Sequence, residues 1–195
     1  MNQLLKCDLY RYGKNKKSMP KFQRYMRKTQ CATNPITRVI YKCLFAFYRQ
    51  KNLVEISADG QIGPGLYIGH PYCITINSKS ILGSNINIHK GVTIGQENRG
   101  KRKGTPTIGN DVWIGINSTI VGNINIGDDV LIAPNTYVNC DIPSHSIAIG
   151  SPCVVKRREN ATQGYIDRKY PPPGGGGVLI FLVDYRRVFG LLPCV

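Results

Sequence analysis

The sequence predicts a mainly β fold: a parallel β-helix of hexapeptide repeats with a short α-helical region before it. Aliphatic residues recur every six positions, and seven of them are followed directly by glycine. A period of six matches neither an amphipathic helix nor a simple strand, but it does match a short strand followed by a tight corner. Three such sides close a triangular coil, and coils stack about 4.8 Å apart. The in-register positions are all Ile, Leu or Val: Ile56, Ile62, Ile68, Ile76, Leu82, Ile88, Ile94, Ile108, Ile114, Ile120, Ile126, Ile132 and Val138.

The register breaks twice, and both breaks are predicted to lie outside the regular coil. Eight residues separate Ile68 from Ile76, so two extra residues bulge out around His70 and Pro71. Fourteen residues separate Ile94 from Ile108, which leaves a polar excursion loop at residues 96–106. Loops that leave a rigid scaffold often carry binding and catalytic groups, so we expect function at these breaks.

Charge divides the chain into three regions. Residues 1–53 hold 13 Lys or Arg and one acidic residue, whereas residues 54–155, the predicted β-helix, hold 6 basic and 7 acidic residues. Residues 156–195 are a tail with no repeat, which could be an element that folds back or a segment foreign to the fold. Because the central region is nearly neutral, we expect no nucleic-acid surface built into the fold.

The basic region 1–53 is predicted to be helical. Asn34 and Pro35 suit the cap and first turn of a helix. An apolar stripe follows at helical spacing, and we interpret it as part of a helix that caps the first coil. The alternative is a weak contact between this arm and an anionic membrane surface. The stripe consists of Val39, Ile40, Cys43, Leu44, Phe47 and Tyr48.

Two further patterns bear on the environment of the protein. The longest wholly apolar run, 178–183, is far below the roughly 20 residues needed to cross a bilayer. The seven cysteines include no CxxC pair and show no regular spacing, which indicates reduced thiols. We therefore expect a cytoplasmic protein.

Residues 55–155 resemble the hexapeptide-repeat acyltransferases, and among them the serine acetyltransferases and their relatives in polysaccharide gene clusters. The matching segments read IGPGLYIGHP, NINIHKGVTIG, PTIGNDVWIGINSTIVGNINIGDDVLIAPNTYV and DIPSHSIAIGSP. The resemblance implies a left-handed β-helix and a homotrimer, with acetyl-CoA lying in a groove between neighbouring helices. It also implies direct transfer of the acetyl group to a hydroxyl, without an acyl-enzyme.

His70 is the candidate general base. Transfer to an alcohol needs a group that removes the hydroxyl proton, and imidazole does so near neutral pH. His70 lies in the first register break and falls on the catalytic histidine of the serine acetyltransferases. That family orients its histidine with an aspartate fifteen residues earlier, a position that Glu55 holds here. A carboxylate at that place would fix the imidazole tautomer, so Glu55 is predicted to partner His70.

Other positions are predicted to face the acceptor or the cofactor. His89, next to Ile88 at a corner, is a candidate acceptor contact or a structural polar residue. The cofactor positions combine corner residues with polar groups near the end of the helix: Gly95, Gly115, Ile116, Ala133, Pro134, Ser151 and Lys156. The three histidines are spaced 19 and 56 residues apart, unlike zinc ligands, so no metal is expected.

The acceptor itself is left as two alternatives. Serine acetyltransferases carry an Arg-His pair before the proline that re-enters the helix, and this sequence has Gly104 and Thr105 ahead of Pro106. This departure, together with the short amino-terminal region, favours a sugar hydroxyl over L-serine. Two non-enzymatic alternatives are an inactive β-helix scaffold and a protein that binds anionic surfaces through its basic arm.

Overall fold

The computed structural model describes residues 3–170. The amino-terminal region forms three helices, α1 (Gln3–Arg11), α2 (Lys21–Gln30) and α3 (Pro35–Lys51), with a short 3-10 turn at Lys16–Ser18. The predicted tail beyond residue 170 lies outside the described residues.

Up to residue 170, fourteen short strands follow, and they form three sheets. Face 1 contains β1 (Gln61–Ile62), β4 (Ile81–Leu82), β7 (Thr107–Ile108) and β10 (Asn125–Ile126). Face 2 contains β2 (Tyr67–Ile68), β5 (Asn87–Ile88), β8 (Trp113–Ile114), β11 (Val130–Ile132), β13 (Ser146–Ile149) and β14 (Val154–Arg157). Face 3 contains β3 (Thr75–Ile76), β6 (Thr93–Gly95), β9 (Thr119–Val121) and β12 (Tyr137–Val138). All neighbours pair in parallel except β14, which runs antiparallel to β13 and closes face 2.

The repeat residues form the core, as the sequence predicts. Each of the thirteen in-register positions is buried, and none exposes more than 6% of its surface. They stack in columns, for example Ile68, Ile88 and Ile114 on face 2. Each column therefore buries one aliphatic side chain per coil, which keeps the strands in register.

Asn and Asp at the corners make the tight turns possible. Asn85, Asp111 and Asp129 occupy one corner column with φ between 52° and 58°, and Asn117 and Asn135 do so at another. Short polar side chains tolerate this left-handed conformation better than most residues. They also bond to one another, since Asn85 Nδ2 donates to Asp111 Oδ1 at 3.0 Å.

A buried polar cluster attaches the amino-terminal helices to the first coil. Arg27 and Asp8 form a fully buried ion pair at 2.8 Å. Asp8 also accepts hydrogen bonds from the backbone amides of Gly65 and Leu66, and Arg27 donates to the carbonyl of Ile62. These contacts satisfy backbone groups of the first coil that no earlier coil pairs with.

The sequence predicts the start of α3 correctly, but the apolar stripe does not pack as interpreted. Asn34 caps the helix by accepting from the amides of Ile36 and Thr37. Phe45 is the only side chain of α3 that is buried, and it joins Phe22 of α2 in the core. Most of the stripe is solvent-exposed, namely Val39, Ile40, Cys43 and Phe47. The first coil is therefore covered mainly by the other helices.

Residues beyond β14 return along the β-helix. Asp129 accepts hydrogen bonds from Thr162 Oγ1 at 2.6 Å, from the amides of Ala161 and Thr162 at 3.0 Å, and from His145 Nδ1 at 2.9 Å. Further on, the amide of Tyr170 donates to Asn85 Oδ1 at 2.8 Å. The segment 161–170 thus lies against the corner between faces 1 and 2.

The excursion loop 96–106 is a small hairpin-like structure. Glu97 and Gly104 exchange backbone hydrogen bonds of 2.9 Å, and Arg102 forms an ion pair with Glu97 at 3.1 Å. Because Arg102 is held by a carboxylate of its own loop, its charge is already partly compensated.

Candidate functional site

The corner between faces 2 and 3 collects most of the predicted site residues, and we call it the His edge. It contains, on successive coils, Gly69–His70, His89–Lys90, Gly115–Ile116 and Ala133–Pro134. Backbone bonds connect the levels: Gly69 N donates to Ile88 O at 3.0 Å and Gly115 N donates to Ile132 O at 2.8 Å. The parallel register that aligns the strands therefore also aligns these corner residues.

His70 projects from the His edge into solvent. Its side chain is exposed, and its ring centroid lies 6.0 Å from that of His89. Within residues 3–170 its imidazole forms no hydrogen bond, so both ring nitrogens are available to other groups. The pairing of Ile68 with Ile88 thus brings His70 and His89 together at one corner.

Glu55 is attached to face 3 through its backbone. It pairs with Thr75 on face 3, and its amide donates to Ile74 O at 2.7 Å. No hydrogen bond or ion pair joins its carboxylate to His70 in the described part of the chain. The bulge explains this, because it lengthens the coil to twenty residues and sets Glu55 beside a residue five positions beyond His70. The predicted His70–Glu55 partnership stays a prediction.

His89 is fixed in one orientation. Its Nδ1 lies 2.9 Å from the carbonyl oxygen of Ile114. Because a carbonyl only accepts, Nδ1 carries the proton, and Nε2 of the neutral ring is left with a lone pair. Burial lowers the pKa of His89, the bond to Ile114 opposes this, and the nearby His70 lowers the pKa further. The net effect is a pKa below the ordinary value, which keeps His89 neutral at pH 7.

Gly69 makes room for this ring. A Cβ at position 69 would lie 2.9 Å from Cδ2 and 3.0 Å from Nε2 of His89. Both distances are too short for a carbon contact, so the glycine in the segment Ile68-Gly69-His70 permits the close approach of the two histidines.

An aromatic row extends from His89 across face 2. The ring of Trp113 lies 4.8 Å from His89, and Tyr165 meets Trp113 edge-on at 4.9 Å. The sequence analysis did not single out either residue. The repeat register could have indicated Trp113, because this residue aligns with Asn87 at an outward-facing position. Tyr165 lies beyond the repeats, where the pattern gives no position.

The structure brings four predicted cofactor residues together. Gly115 and Ile116 lie directly beneath Ala133 and Pro134 on the His edge. A Cβ on Gly115 would lie 2.6 Å from the nitrogen of Pro134 and 2.9 Å from the carbonyl carbon of Ala133. Only glycine fits under the next coil here, so Gly115 permits the tight stacking of these two levels.

The remaining predicted cofactor residues lie elsewhere. Gly95 ends β6 on the far edge of face 3, next to Val121. Ser151 is exposed in the turn after β13, and Lys156 is exposed on β14 opposite Ile147. These three positions therefore do not belong to the His edge.

Gly104 and Thr105, which stand where serine acetyltransferases carry the Arg-His pair, have structural contacts in the excursion loop. Gly104 has a φ of 139°, and a Cβ there would lie 2.9 Å from Cβ of Asn123. Thr105 donates from Oγ1 to the carbonyl of Lys79 at 3.2 Å. Neither position thus offers a cation to an acceptor.

Within 3–170, no three His, Cys, Asp or Glu side chains come together in an arrangement suited to a metal ion. No helix in that range combines the length and apolar character needed to span a membrane.

Comparison with known proteins gives consistent likenesses. Residues 105–140 match the family described as bacterial transferase hexapeptide (six repeats). A serine acetyltransferase of Helicobacter pylori is 39% identical over 98 residues, which cover 50% of this chain and 57% of that protein. The chain thus spans little more than half the length of that relative.

Solved structures agree on the fold. The crystal structure of Neisseria gonorrhoeae serine acetyltransferase in complex with serine matches with a TM-score of 0.64 and 25% identity, covering 78% of this chain and 67% of that one. A serine acetyltransferase in complex with CoA matches with a TM-score of 0.58 and 24% identity, covering 69% and 55%. The repeat, the three-faced helix and these likenesses identify the chain as a hexapeptide-repeat, left-handed β-helix protein similar to serine acetyltransferases.

Proposed function

We propose that this protein is an acetyl-CoA-dependent O-acetyltransferase in which His70 is the general base. The observation that carries the proposal is the His70–His89 pair on the His edge, with ring centroids 6.0 Å apart. One imidazole of this pair is solvent-facing and without a partner in the described structure, and the other is held in a single tautomer. The likeness to serine acetyltransferases supports acetyl transfer as the reaction.

The chemistry follows from the two rings. His70 removes the proton from the acceptor hydroxyl as its oxygen attacks the thioester carbonyl of acetyl-CoA. The C–S bond then breaks, and the CoA thiolate leaves with the proton that His70 returns. His89, neutral and with Nε2 unprotonated, accepts a hydrogen bond from the acceptor and orients it. Acetyl transfer is direct, so no acyl-enzyme forms.

Acetyl-CoA is the proposed donor. The likeness to a serine acetyltransferase solved with CoA supports this choice. The Gly115–Ile116 and Ala133–Pro134 levels offer backbone close to the histidines for the pantetheine arm, and Gly95, Ser151 and Lys156 are proposed as further contacts. Lys156 supplies a positive charge that suits the phosphates of the donor.

Two acceptors are proposed for testing. L-serine is the first, because the similar proteins are named serine acetyltransferases. A sugar hydroxyl is the second, because Gly104 and Thr105 provide no cation and Arg102 is paired with Glu97. A thiol-release assay with acetyl-CoA and each acceptor separates them. Release with neither L-serine nor any sugar of a broad panel would contradict the proposed activity.

A homotrimer is proposed as the assembly, with the donor groove between neighbouring helices. Light scattering coupled to size-exclusion chromatography tests it, and a mass of one chain in solution would contradict it.

Glu55 is proposed to act as a positioning residue for His70. If its carboxylate stabilises the imidazolium during transfer, Glu55→Gln should lower kcat and shift the acid limb of the pH–kcat profile, with little change in the KM for acetyl-CoA. Glu55→Asp should retain the wild-type pH profile. An unchanged pH–kcat profile in Glu55→Gln would show that Glu55 does not position His70.

A further inference from the structure

A cavity of about 300 Å³ lies on face 2 next to the His edge. Its floor includes Tyr67 and Asn87, which are paired neighbours on β2 and β5. Its walls include Arg11 at the end of α1 and the returning residues Tyr165 and Arg168. The cavity thus combines residues from the amino-terminal region, the β-helix and the carboxyl-terminal segment.

Arg11 is the notable side chain of this cavity. The residue exposes 6% of its surface, yet its Nε and Nη1 atoms are buried without a hydrogen-bond partner in the described structure. Only Nη2 has a partner, the Oδ1 atom of Asn87. Because a guanidinium stays charged in proteins, two of its donor groups are left unsatisfied. A buried cation of this kind indicates a ligand that accepts hydrogen bonds.

The carboxylates of Asp8 and Asp111, which lie near Arg11, are bonded to other side chains. Asp8 is hydrogen-bonded to Arg27 and Gln23, and Asp111 forms an ion pair with Lys169 at 3.1 Å. Asp167 also lines the cavity, and its side chain is exposed. The cavity is therefore lined by two arginines and one solvent-facing carboxylate, which favours an anion.

Two strands connect the cavity to the His edge. Asn87, which bonds to Arg11, precedes His89 by two residues on the same chain, or about 7 Å along a strand. Tyr67 likewise precedes Gly69 by two residues. Tyr165 stands over the cavity and contacts Trp113, which contacts His89. A molecule bound at Arg11 can therefore extend along face 2 to the two histidines.

We propose that Arg11 binds the anionic group of the acceptor, a phosphate or carboxylate carried by a sugar whose hydroxyl is acetylated at His70. This inference rests on the proposed function and narrows its acceptor. Asn87, the partner of Arg11, lies about 7 Å along the strand from His89, which is longer than a three-carbon amino acid, so a sugar-sized molecule fits better than L-serine. The aromatic rings of Tyr67, Tyr165 and Trp113 provide faces against which a sugar ring packs.

Direct binding tests the anion site without turnover. Trp113 is the only tryptophan in the sequence, so its fluorescence reports on the aromatic row beside the cavity. The full-length protein is titrated with a hexose phosphate, a hexuronate and the neutral hexose, and the first two distinguish phosphate from carboxylate. We expect at least one anionic sugar to bind about tenfold or more tightly than the neutral sugar.

Variants assign this preference to Arg11. Arg11→Gln should abolish it, and Arg11→Lys should retain part of it because the charge remains. Lys17→Gln is the matched control, since it removes an exposed positive charge from the same region outside the cavity and should change nothing. If Arg11→Gln strongly lowers the melting temperature, Arg168→Gln is the alternative variant, because Arg168 lines the cavity at an exposed position. Arg168→Gln should weaken the preference for anionic over neutral sugars.

The outcomes separate this inference from the proposed function. Equal affinity for anionic and neutral sugars, or the same loss in Arg11→Gln and Lys17→Gln, would overturn the anion site. If wild type releases thiol with a neutral sugar or L-serine, and Arg11→Gln releases it at the same rate, the anion site would also be overturned. The proposed acetyl transfer would still stand. Anion binding that depends on Arg11, with no thiol release from any acceptor, would instead refute the acetyltransferase.

Discussion

The imidazole of His89 donates a hydrogen bond from Nδ1 to the carbonyl oxygen of Ile114 at 2.9 Å. Ile114 belongs to the next coil, so the stacking of coils itself fixes the histidine. The donor role leaves Nε2 free to accept from another molecule. This single bond connects the hexapeptide repeat to the chemistry proposed for the His edge.

The lowered pKa of His89 predicts a pH dependence of stability. Because its pKa in the folded protein lies below the value in the unfolded chain, the unfolded chain takes up the proton first as the pH falls. Stability is therefore unaffected above about pH 6.5 and decreases as the pH falls from there through the folded pKa. Denaturant unfolding of wild type and His89→Gln between pH 5 and 8 should show a smaller decrease in the variant. An equal decrease in stability in the two proteins would contradict the lowered pKa of His89.

Gly69→Ala should disturb the site more than the fold. The new Cβ would meet the His89 ring at about 3 Å, so the ring must move away from the bond to Ile114. We expect kcat/KM to fall about tenfold or more, with a small change in melting temperature. Gly60→Ala, whose Cβ would lie 3.3 Å from the carbonyl oxygen of Ser57 and 4.0 Å from Cδ1 of Ile62, is the control. Equal activity in the two variants would show that His89 does not need this position.

Gly115→Ala should act on stability. Its Cβ would lie 2.6 Å from the backbone of Pro134, and backbone atoms of a stacked coil cannot yield as a side chain does. Overpacking of this kind costs about 1–3 kcal/mol of unfolding free energy. Gly95→Ala has ordinary room, 3.4 Å from Val121, and should leave stability unchanged while raising the KM for acetyl-CoA. Chemical denaturation and initial rates measure the two effects, and the reverse pattern would contradict the placement of the donor.

The sequence pattern predicted thirteen buried aliphatic positions of the β-helix, because a buried column requires one aliphatic residue at each repeat. It singled out His70 and His89 separately, and the pairing of Ile68 with Ile88 is what brings them to one corner. The register could not place Glu55, because the bulge shifts pairing by two residues. Arg11 and Tyr165 lie outside the repeats, and their positions depend on how the terminal segments pack, which no local period encodes.

Asp129→Asn should loosen the returning segment that carries Tyr165 and Arg168. Burial alone raises the pKa of Asp129, but the bonds from Thr162, His145 and Ala161 outweigh burial and hold the pKa below its ordinary value. The stability from this carboxylate is thus present above about pH 4 and lost as the pH falls through the folded pKa. The variant should lose about 2 kcal/mol of unfolding free energy at pH 7.

The exposed Asp59 provides the control for that prediction. Asp59→Asn should change neither stability nor anionic-sugar binding, since its contact with Arg38 is an exposed pair at 4.0 Å. If Asp129→Asn were as stable as Asp59→Asn, the hydrogen bonds to the segment 161–162 would not hold it in solution.

The rate of acetyl transfer in His70→Ala tests the central claim most directly. The O-acetylated product is quantified by mass spectrometry with the acceptor that wild type uses best, and His145→Ala serves as the histidine control because its ring pairs with Asp129 away from the His edge. Loss of a general base predicts a decrease of about a hundredfold or more in kcat for His70→Ala, with His145→Ala retaining most activity. Product formation by His70→Ala at the wild-type rate would contradict the account.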